Sequence, residues 1–314
     1  MRIASVLHDA SPEPDGAPLF PAVALERDGA LYRVSALARA FGPRYAALAD
    51  EVDFHHAVVA LRGALLCELD ERLRSGDRPS SARILPGTFT WLPPCDTERA
   101  ALFTCDPLAA ELATSPRVPA FRVGSARALF GHEATVPLPP YAASASVECS
   151  LAAVLGDDLF RATALEADEA ILGYAVLVAF SPGLAAQLGP VLVTRDEVGQ
   201  LGPLGPLRTQ LRVGGAPLAI GDAAVATFSP AESIAWISHQ VPLAAGDVIG
   251  AGRVRGARAV AAAAAADAAY DDAACVNVAC GSRFDFAIER LGRLSGRPTT
   301  GPELRAWRRS TAGR

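Results

Sequence analysis

The chain has 314 residues, 51% of them apolar, and a formal net charge of −5. This length supports a sizeable core, and the mixed charges indicate no polyanionic partner such as a nucleic acid. All 29 basic residues are arginine, which excludes a Schiff-base lysine, a phosphate-loop lysine and a lysine general base. No apolar run is long enough to span a membrane and no signal peptide is evident, so we expect a cytoplasmic protein with no membrane partner.

The cysteines show no CxxC pair, and the last two lack the spacing of a zinc site. Reduced thiols are therefore expected in this compartment. The six positions are Cys67, Cys95, Cys105, Cys149, Cys275 and Cys280.

The N-terminal part predicts a hairpin followed by helices. Asp28-Gly29 is a tight-turn dipeptide between apolar stretches, and residues 34–41 have a helical pattern. Residues 45–75 repeat apolar side chains near helical spacing and predict one long helix. His55 and His56 within it point about 100° apart, so we do not expect them to share one ion.

The stretch around which the rest of the chain is organised is SVECSLAAVLG, residues 146–156. Its apolar run, entered through the single acid Glu148, indicates a buried strand. Strand alternation places Glu148 and Ser150 on one face and Cys149 on the other, so Cys149 is expected to pack rather than react.

Several segments resemble, in order, those of the fumarylacetoacetate hydrolase family. They are Leu92-Pro93-Pro94, the strand containing Glu148, Gly173-Tyr174, the stretch 187–194 and the stretch 242–249. The resemblance implies an α+β, β-rich fold in which a mixed β-sandwich or β-roll catalytic domain follows a small N-terminal domain. The division expected is residues 1–83 for the N-terminal domain, 84–295 for the catalytic domain and 296–314 for a polar tail. A homodimer is also expected.

The positions that carry the family's chemistry are changed. Members bind magnesium or manganese through a Glu-x-Glu pair and an aspartate, but here the second glutamate is Ser150 and the aspartate falls on Ala179. The family's histidine is missing from residues 101–113, where Asp106 and Glu111 are the ionisable side chains, and its catalytic lysine has no counterpart. A hard divalent cation needs several anionic oxygens, so we expect neither a metal nor another cofactor.

Arginines stand at two positions that line the pocket in relatives. Arg122 replaces a lysine and Arg253 replaces a threonine, and a guanidinium can hold a carboxylate or enolate in place of a metal. Glu148 would then be paired with an arginine or act as a proton shuttle. His132 falls off the motif and is expected to be a surface histidine. We expect the catalytic residues to be Glu148, Ser150 and Arg253, and the substrate-binding residues to be Arg122, Ser125, Tyr174, Ser181 and Gln187.

Three functions remain open at this point. The first is a metal-independent enzyme of specialised metabolism acting on a 1,3-dicarbonyl or polyketide-like carboxylic acid, as a lyase, cyclase, dehydratase or isomerase. The second is a non-catalytic binding or scaffold relative. The third is a magnesium-dependent hydrolase of acylpyruvates, which would need other acids, such as Asp106 or Glu133, to rebuild the metal site.

Overall fold

The computed structural model describes residues 1–8, 20–50, 53–60, 64–106, 118–198, 207–222, 228–253, 255–259 and 276–302. The expectations for Glu111, Cys275 and the side chains of Asp106 and Arg253 lie outside the described part of the chain. Within that part, no helix combines the length and the apolar character that crossing a bilayer requires.

The strands of the described residues form a sheet of 13 and a sheet of six. Numbered in chain order, the first sheet contains β1 (Arg2–His8), β2 (Phe20–Arg27), β3 (Ala30–Arg33), β4 (Arg83–Ile84), β5 (Phe89–Leu92), β6 (Ala101–Asp106), β7 (Ala120–Ser125), β8 (Leu129–Phe130), β10 (Ser144–Leu155), β11 (Ile171–Ser181), β12 (Ala186–Thr194), β15 (Val248–Arg253) and β17 (Val276–Ala279). The second contains β9 (Thr135–Leu138), β13 (Arg208–Val213), β14 (Ala216–Asp222), β16 (Arg255–Ala259), β18 (Phe284–Ile288) and β19 (Gly292–Thr300).

Strand β10, which contains Glu148 and is the strand that the sequence singles out, lies in the interior of the first sheet. The spatial order of that sheet is β4-β3-β2-β1-β12-β11-β10-β15-β6-β7, with β17, β5 and β8 paired off this path. The order of the second is β16-β14-β13-β18-β19-β9. Strands β15 and β6 run parallel, as do β12 and β8, whereas β10 is antiparallel to β11 and β15. This mixed, sheet-rich α+β architecture confirms the fold class expected from the sequence.

Two apolar layers lie on opposite faces of the first sheet. One face packs against the second sheet, where the rings of Phe180 and Phe284 meet edge to face with centroids 5.6 Å apart. The other face packs against the N-terminal helices, with Leu37, Leu66 and Leu177 in one cluster. The alternation of β10 and β11 therefore assigns each side chain to one of two environments.

The long helix expected over residues 45–75 is wrong. The structure has a 3₁₀ segment at Pro43–Leu48, a π-helical segment at His55–Ala60 and an α-helix from residue 64. The carboxylate of Asp53 accepts the His56 backbone N–H at 2.6 Å. Such a side chain competes with the helical backbone and starts a new segment. The α-helices are α1 (Val34–Phe41), α2 (Ala64–Arg74), α3 (Ala164–Glu169), α4 (Arg195–Val198) and α5 (Pro230–Ser238).

Predictions that depend on the backbone conformation of a few neighbouring residues agree with the structure. Asp28 and Gly29 both have positive φ, 52° and 76°, as a type I′ hairpin turn requires. Helix α5 begins with the capping box in which Ser229 and Glu232 bond each other's backbone N–H. Helix α1 forms over the expected residues.

The first 83 residues share the first sheet with the rest of the chain. Strand β1 pairs with β12 through Arg2 and Val193, so a division at residue 83 stays a prediction and would cut through one hydrogen-bonded sheet. Of the polar tail expected over residues 296–314, residues 296–300 belong to strand β19, because residues 297–300 pair in parallel with β9.

Candidate functional site

Three polar side chains alternate along one end of β10. Ser146, Glu148 and Ser150 are separated by Val147 and Cys149, so they share a face of the first sheet. Val147 is buried and Cys149 packs beside it in the layer between the sheets, as expected for Cys149. Ser150 is 8% exposed, while Ser146 and Glu148 are partly exposed. We call these three side chains, Ser146, Glu148 and Ser150, the row. The row runs from the solvent-exposed end of β10 into the protein.

The register of β10 and β11 decides what stands beside Glu148. Glu148 pairs directly with Ala179, and Ser150 pairs with Leu177. Side chains of directly opposed residues lie on the same face, with Cα atoms about 4.5–5.5 Å apart. The structure thus places Glu148, Ser150 and Ala179 together, and two of these three positions lack a carboxylate.

Glu148 forms an ion pair with Arg122 of β7. Arg122 Nη2 lies 3.3 Å from Glu148 Oε2, and the two side chains are 61% and 20% exposed. A pair this exposed contributes about 0.5 kcal/mol or less to stability. Most of the guanidinium faces solvent, so its remaining N–H donors are available to a bound anion.

Strand β15 closes the other edge of β10 beside the site. Its backbone pairs Arg253 with Ser150, while β17 pairs with β10 over residues 144–147, so Glu148 lies between the two pairings. A Cβ at Gly250 would lie 3.6 Å from Ser150 Oγ and 2.8 Å from Leu177 Cδ2, so glycine lets β15 approach this closely. The backbone of Arg253 is therefore beside the site, and a catalytic role for its side chain stays a prediction.

Asp247 fixes the start of β15, a structural role that the sequence did not single out. It is 4% exposed, and its carboxylate accepts the backbone N–H groups of Ala101 at 2.7 Å and Ala244 at 2.9 Å. Burial raises the pKa of Asp247, against the lowering effect of these two hydrogen bonds. The carboxylate thereby ties β15 to β6, two strands that the site uses.

Two of the expected substrate-binding residues lie on the opposite face from Glu148. Tyr174 is 2% exposed within the layer between the sheets, and burial raises its pKa to about 12. Gln187 pairs with Val178, and its amide N–H groups donate to the carbonyls of Gly131 at 2.8 Å and Ser295 at 3.2 Å. The structure does not bring these two side chains to Glu148, because neighbours along a strand alternate between faces.

The other two expected substrate-binding residues, Ser181 and Ser125, differ in the face of the first sheet that they occupy. Ser181 is exposed at the end of β11, directly opposite Ser146, and so shares the Glu148 face. Ser125 is exposed at the end of β7 and pairs with Ala101. Because it lies three residues beyond Arg122, strand alternation puts it on the opposite face from Arg122, and the structure does not bring it to Glu148. Ser146 was missed by the sequence analysis. Its position two residues before Glu148 was the signal that could have found it.

His132 is mostly buried, which corrects the expectation of a surface histidine. Its side chain is 14% exposed, and its Nδ1 accepts the Ser295 N–H at 3.0 Å. Its ring meets Trp91 edge to face, with centroids 5.3 Å apart. Burial lowers the pKa of His132. Glu133 lies 3.7 Å from the Arg283 guanidinium, and among the described residues it belongs to no group of His, Cys, Asp and Glu side chains that could hold a metal ion.

The donor set near Glu148 fits a divalent cation poorly. The three strand positions offer one carboxylate, one hydroxyl and one methyl group, whereas magnesium requires near-octahedral oxygen ligands and calcium six to eight. Across the described ranges, no group of three or more His, Cys, Asp or Glu side chains is placed to hold an ion. The residues described here therefore do not fit a tightly bound divalent metal.

The fold and the site define a sheet-rich α+β protein with a polar row at one end of a central strand. Residues 100–182 and 181–297 match the family model described as fumarylacetoacetate (FAA) hydrolase C-terminal. These matches cover more than half of the sequence, and the chain belongs to the fumarylacetoacetate hydrolase family. No curated protein matches it.

Solved structures of similar fold cover 96% of this chain and 100% of their own. Maleylpyruvate hydrolase from Sphingobium sp. SYK-6 is 18% identical with a TM-score of 0.68, and another structure of it contains manganese (II) and pyruvate. Fumarylacetoacetate hydrolase from Exiguobacterium antarcticum is 16% identical with a TM-score of 0.65. The 5-carboxymethyl-2-hydroxymuconate delta-isomerase from Mycobacterium smegmatis is 17% identical with a TM-score of 0.61. At these identities the likeness shows the fold alone.

Proposed function

We propose that the protein is an enzyme that acts, without a resident divalent metal, on a small carboxylic acid with a 1,3-dicarbonyl group. The observation that carries this proposal is the ion pair of Glu148 and Arg122 beside Ala179. The exposed guanidinium of Arg122 can bind such a substrate, and the carboxylate of Glu148 can deprotonate it. Solved proteins of this fold include a maleylpyruvate hydrolase and a hydroxymuconate isomerase, which supports a small carboxylic acid as substrate.

The chemistry follows from the positions of the two charges. The free N–H donors of Arg122 bind the substrate carboxylate or an enolate oxygen. Glu148 takes the proton from the carbon between the two carbonyls, and the electron pair of that C–H bond becomes the enolate. Return of the proton from Glu148 to another carbon completes an isomerisation. Transfer of the same proton to a departing β-hydroxyl group releases water and completes a dehydration. Ser150, buried on the same face, supplies a hydroxyl for hydrogen bonding.

The test measures turnover of a panel of acylpyruvates and other 1,3-dicarbonyl acids. Proton NMR monitors each reaction, once in the presence of EDTA and once in the presence of manganese. The expected result is a rate above the protein-free blank that survives EDTA. Glu148→Gln should lower kcat about 100-fold or more, while Arg122→Met should chiefly raise KM. Glu71→Gln and Arg127→Ala alter exposed side chains outside the site and should leave both constants unchanged.

Each other outcome assigns a different function. Activity that requires manganese would return the protein to metal-dependent hydrolysis. Binding of acids from the panel without turnover, lost in Arg122→Met, would assign the non-catalytic binding role. Turnover that Glu148→Gln and Arg122→Met both leave intact would place the active site elsewhere.

A further inference from the structure

A groove of about 620 Å³ opens where the two sheets meet, and its residues are separate from the row on β10. Its floor is formed by Ala287, which the register places between Gln210 of β13 and Arg293 of β19. A small side chain between two long ones leaves the depression. We call it the arginine groove, because its lining includes Arg2, Arg208, Arg290 and Arg293.

Two of the four arginines form a fixed end of the arginine groove. Arg2 pairs with Glu26, and its Nη1 donates to the Arg290 carbonyl at 2.9 Å. Arg290 Nη1 donates to the Val198 carbonyl at 3.0 Å. Gly292 has a φ of 110°, a backbone conformation that favours glycine, beside this end of the groove.

The other two arginines are exposed and uncommitted. Within the described part of the chain, the guanidiniums of Arg208 and Arg293 form no hydrogen bond or ion pair. Glu289 is the acid in the lining, and its carboxylate accepts the Arg208 backbone N–H at 3.2 Å. Arg2 is already paired with Glu26, so three further arginines against Glu289 leave an excess of positive charge that attracts an anion.

We propose that the arginine groove binds a small anion that carries a phosphate group. Arg208 and Arg293 stand on strands that are two apart in the sheet, about 10 Å, so their long side chains can converge on one group from two directions. Arg290 and Arg2 add positive charge at the sheet junction, where both guanidiniums donate to backbone carbonyls. Guanidiniums that converge from several elements suit the three oxygens and double charge of a phosphate better than a planar carboxylate.

The experiment is calorimetric titration with inorganic phosphate, pyrophosphate and glycerol phosphate at low ionic strength. Saturable binding to the wild type is expected, about tenfold weaker in each of Arg208→Ala and Arg293→Ala. Arg127→Ala removes an exposed arginine outside the groove and should bind like the wild type. Thermal denaturation of each variant checks that it folds. Tightest binding of inorganic phosphate would indicate the free ion, whereas tightest binding of glycerol phosphate would indicate a phosphorylated metabolite.

Three results would overturn the proposal. They are an absence of saturable binding of all three anions, equal binding by wild type and both groove variants, and a change in sedimentation of either groove variant. The last would make the groove an interface between copies of the chain. The dicarbonyl turnover does not depend on the groove, so both groove variants should retain it, and failure of one proposal leaves the other standing.

Discussion

An ion cluster joins the first 83 residues to the rest of the chain, and Asp70→Ala tests how much it contributes. Asp70 on α2 is 2% exposed. Its carboxylate pairs with Arg27 of β2, and with Arg74 Nη2 at 2.8 Å. Both arginines also approach Glu197 on α4, at 3.9 Å and 3.3 Å. Helix α4 follows β12, so the cluster bridges the two parts of the sequence.

The expected loss follows from burial. Removing one partner of a buried ion pair costs about 3–5 kcal/mol, because the other charge is left uncompensated. Here Arg27 keeps Glu197 nearby, and the Arg74 side chain is 48% exposed, so Asp70→Ala should cost about 3 kcal/mol, the lower end of that range. For a chain of 314 residues, this corresponds to a decrease in Tm of about 5 °C.

Thermal and urea unfolding, followed by circular dichroism and tryptophan fluorescence, measure the effect. Glu71→Ala, at the neighbouring exposed position of α2, should change the free energy of unfolding by about 0.5 kcal/mol or less. A single shared transition is expected from the continuous sheet. A Tm within about 1 °C of wild type would refute the magnitude. Separate transitions, with hydrogen exchange rising only in residues 1–83, would instead support an independent N-terminal domain.

Two further predictions concern the row on β10 and the buried histidine. Ser150→Glu combined with Ala179→Asp should give manganese binding measurable by calorimetry, since the register gathers three carboxylates on one face. No saturable binding at millimolar metal would mean that the row cannot form such a site. Burial lowers the pKa of His132 in the folded protein. As the pH falls, the imidazole of His132 is therefore protonated in the unfolded chain before it is protonated in the folded one. The free energy of unfolding should therefore fall as the pH drops below about 6.5. His132→Asn should flatten that slope in urea titrations at several pH values, and an unchanged slope would assign the pH dependence to other groups.

Local rules of the backbone explain why much of the fold could be predicted. The hairpin at Asp28 and the cap at Ser229 depend on residues a few positions apart. The strand containing Glu148 could be recognised because β10 is apolar over most of its length. The break near Asp53 was missed because one side-chain hydrogen bond outweighs a helical pattern.

The candidate site was harder to predict because faces and registers decide it. Tyr174 and Ala179 are five positions apart on one strand, so alternation alone could have placed them on opposite faces. Gln187 required the pairing of β11 with β12, which no sequence pattern fixes. The burial of His132 depends on Trp91 and Ser295, and the second of these lies far along the chain.

Electrostatic repulsion explains why positions 150 and 179 would lose their carboxylates in a family member that no longer binds a metal. Carboxylates at positions 148, 150 and 179 would lie within a few ångströms of one another, and without a cation they would repel. Serine and alanine remove two of the charges, and the remaining Glu148 forms an ion pair with Arg122. The variant Ser150→Glu with Ala179→Asp should therefore be less stable than wild type in EDTA and recover stability when manganese is added. A double variant as stable as wild type in EDTA would show that repulsion does not explain the replacements.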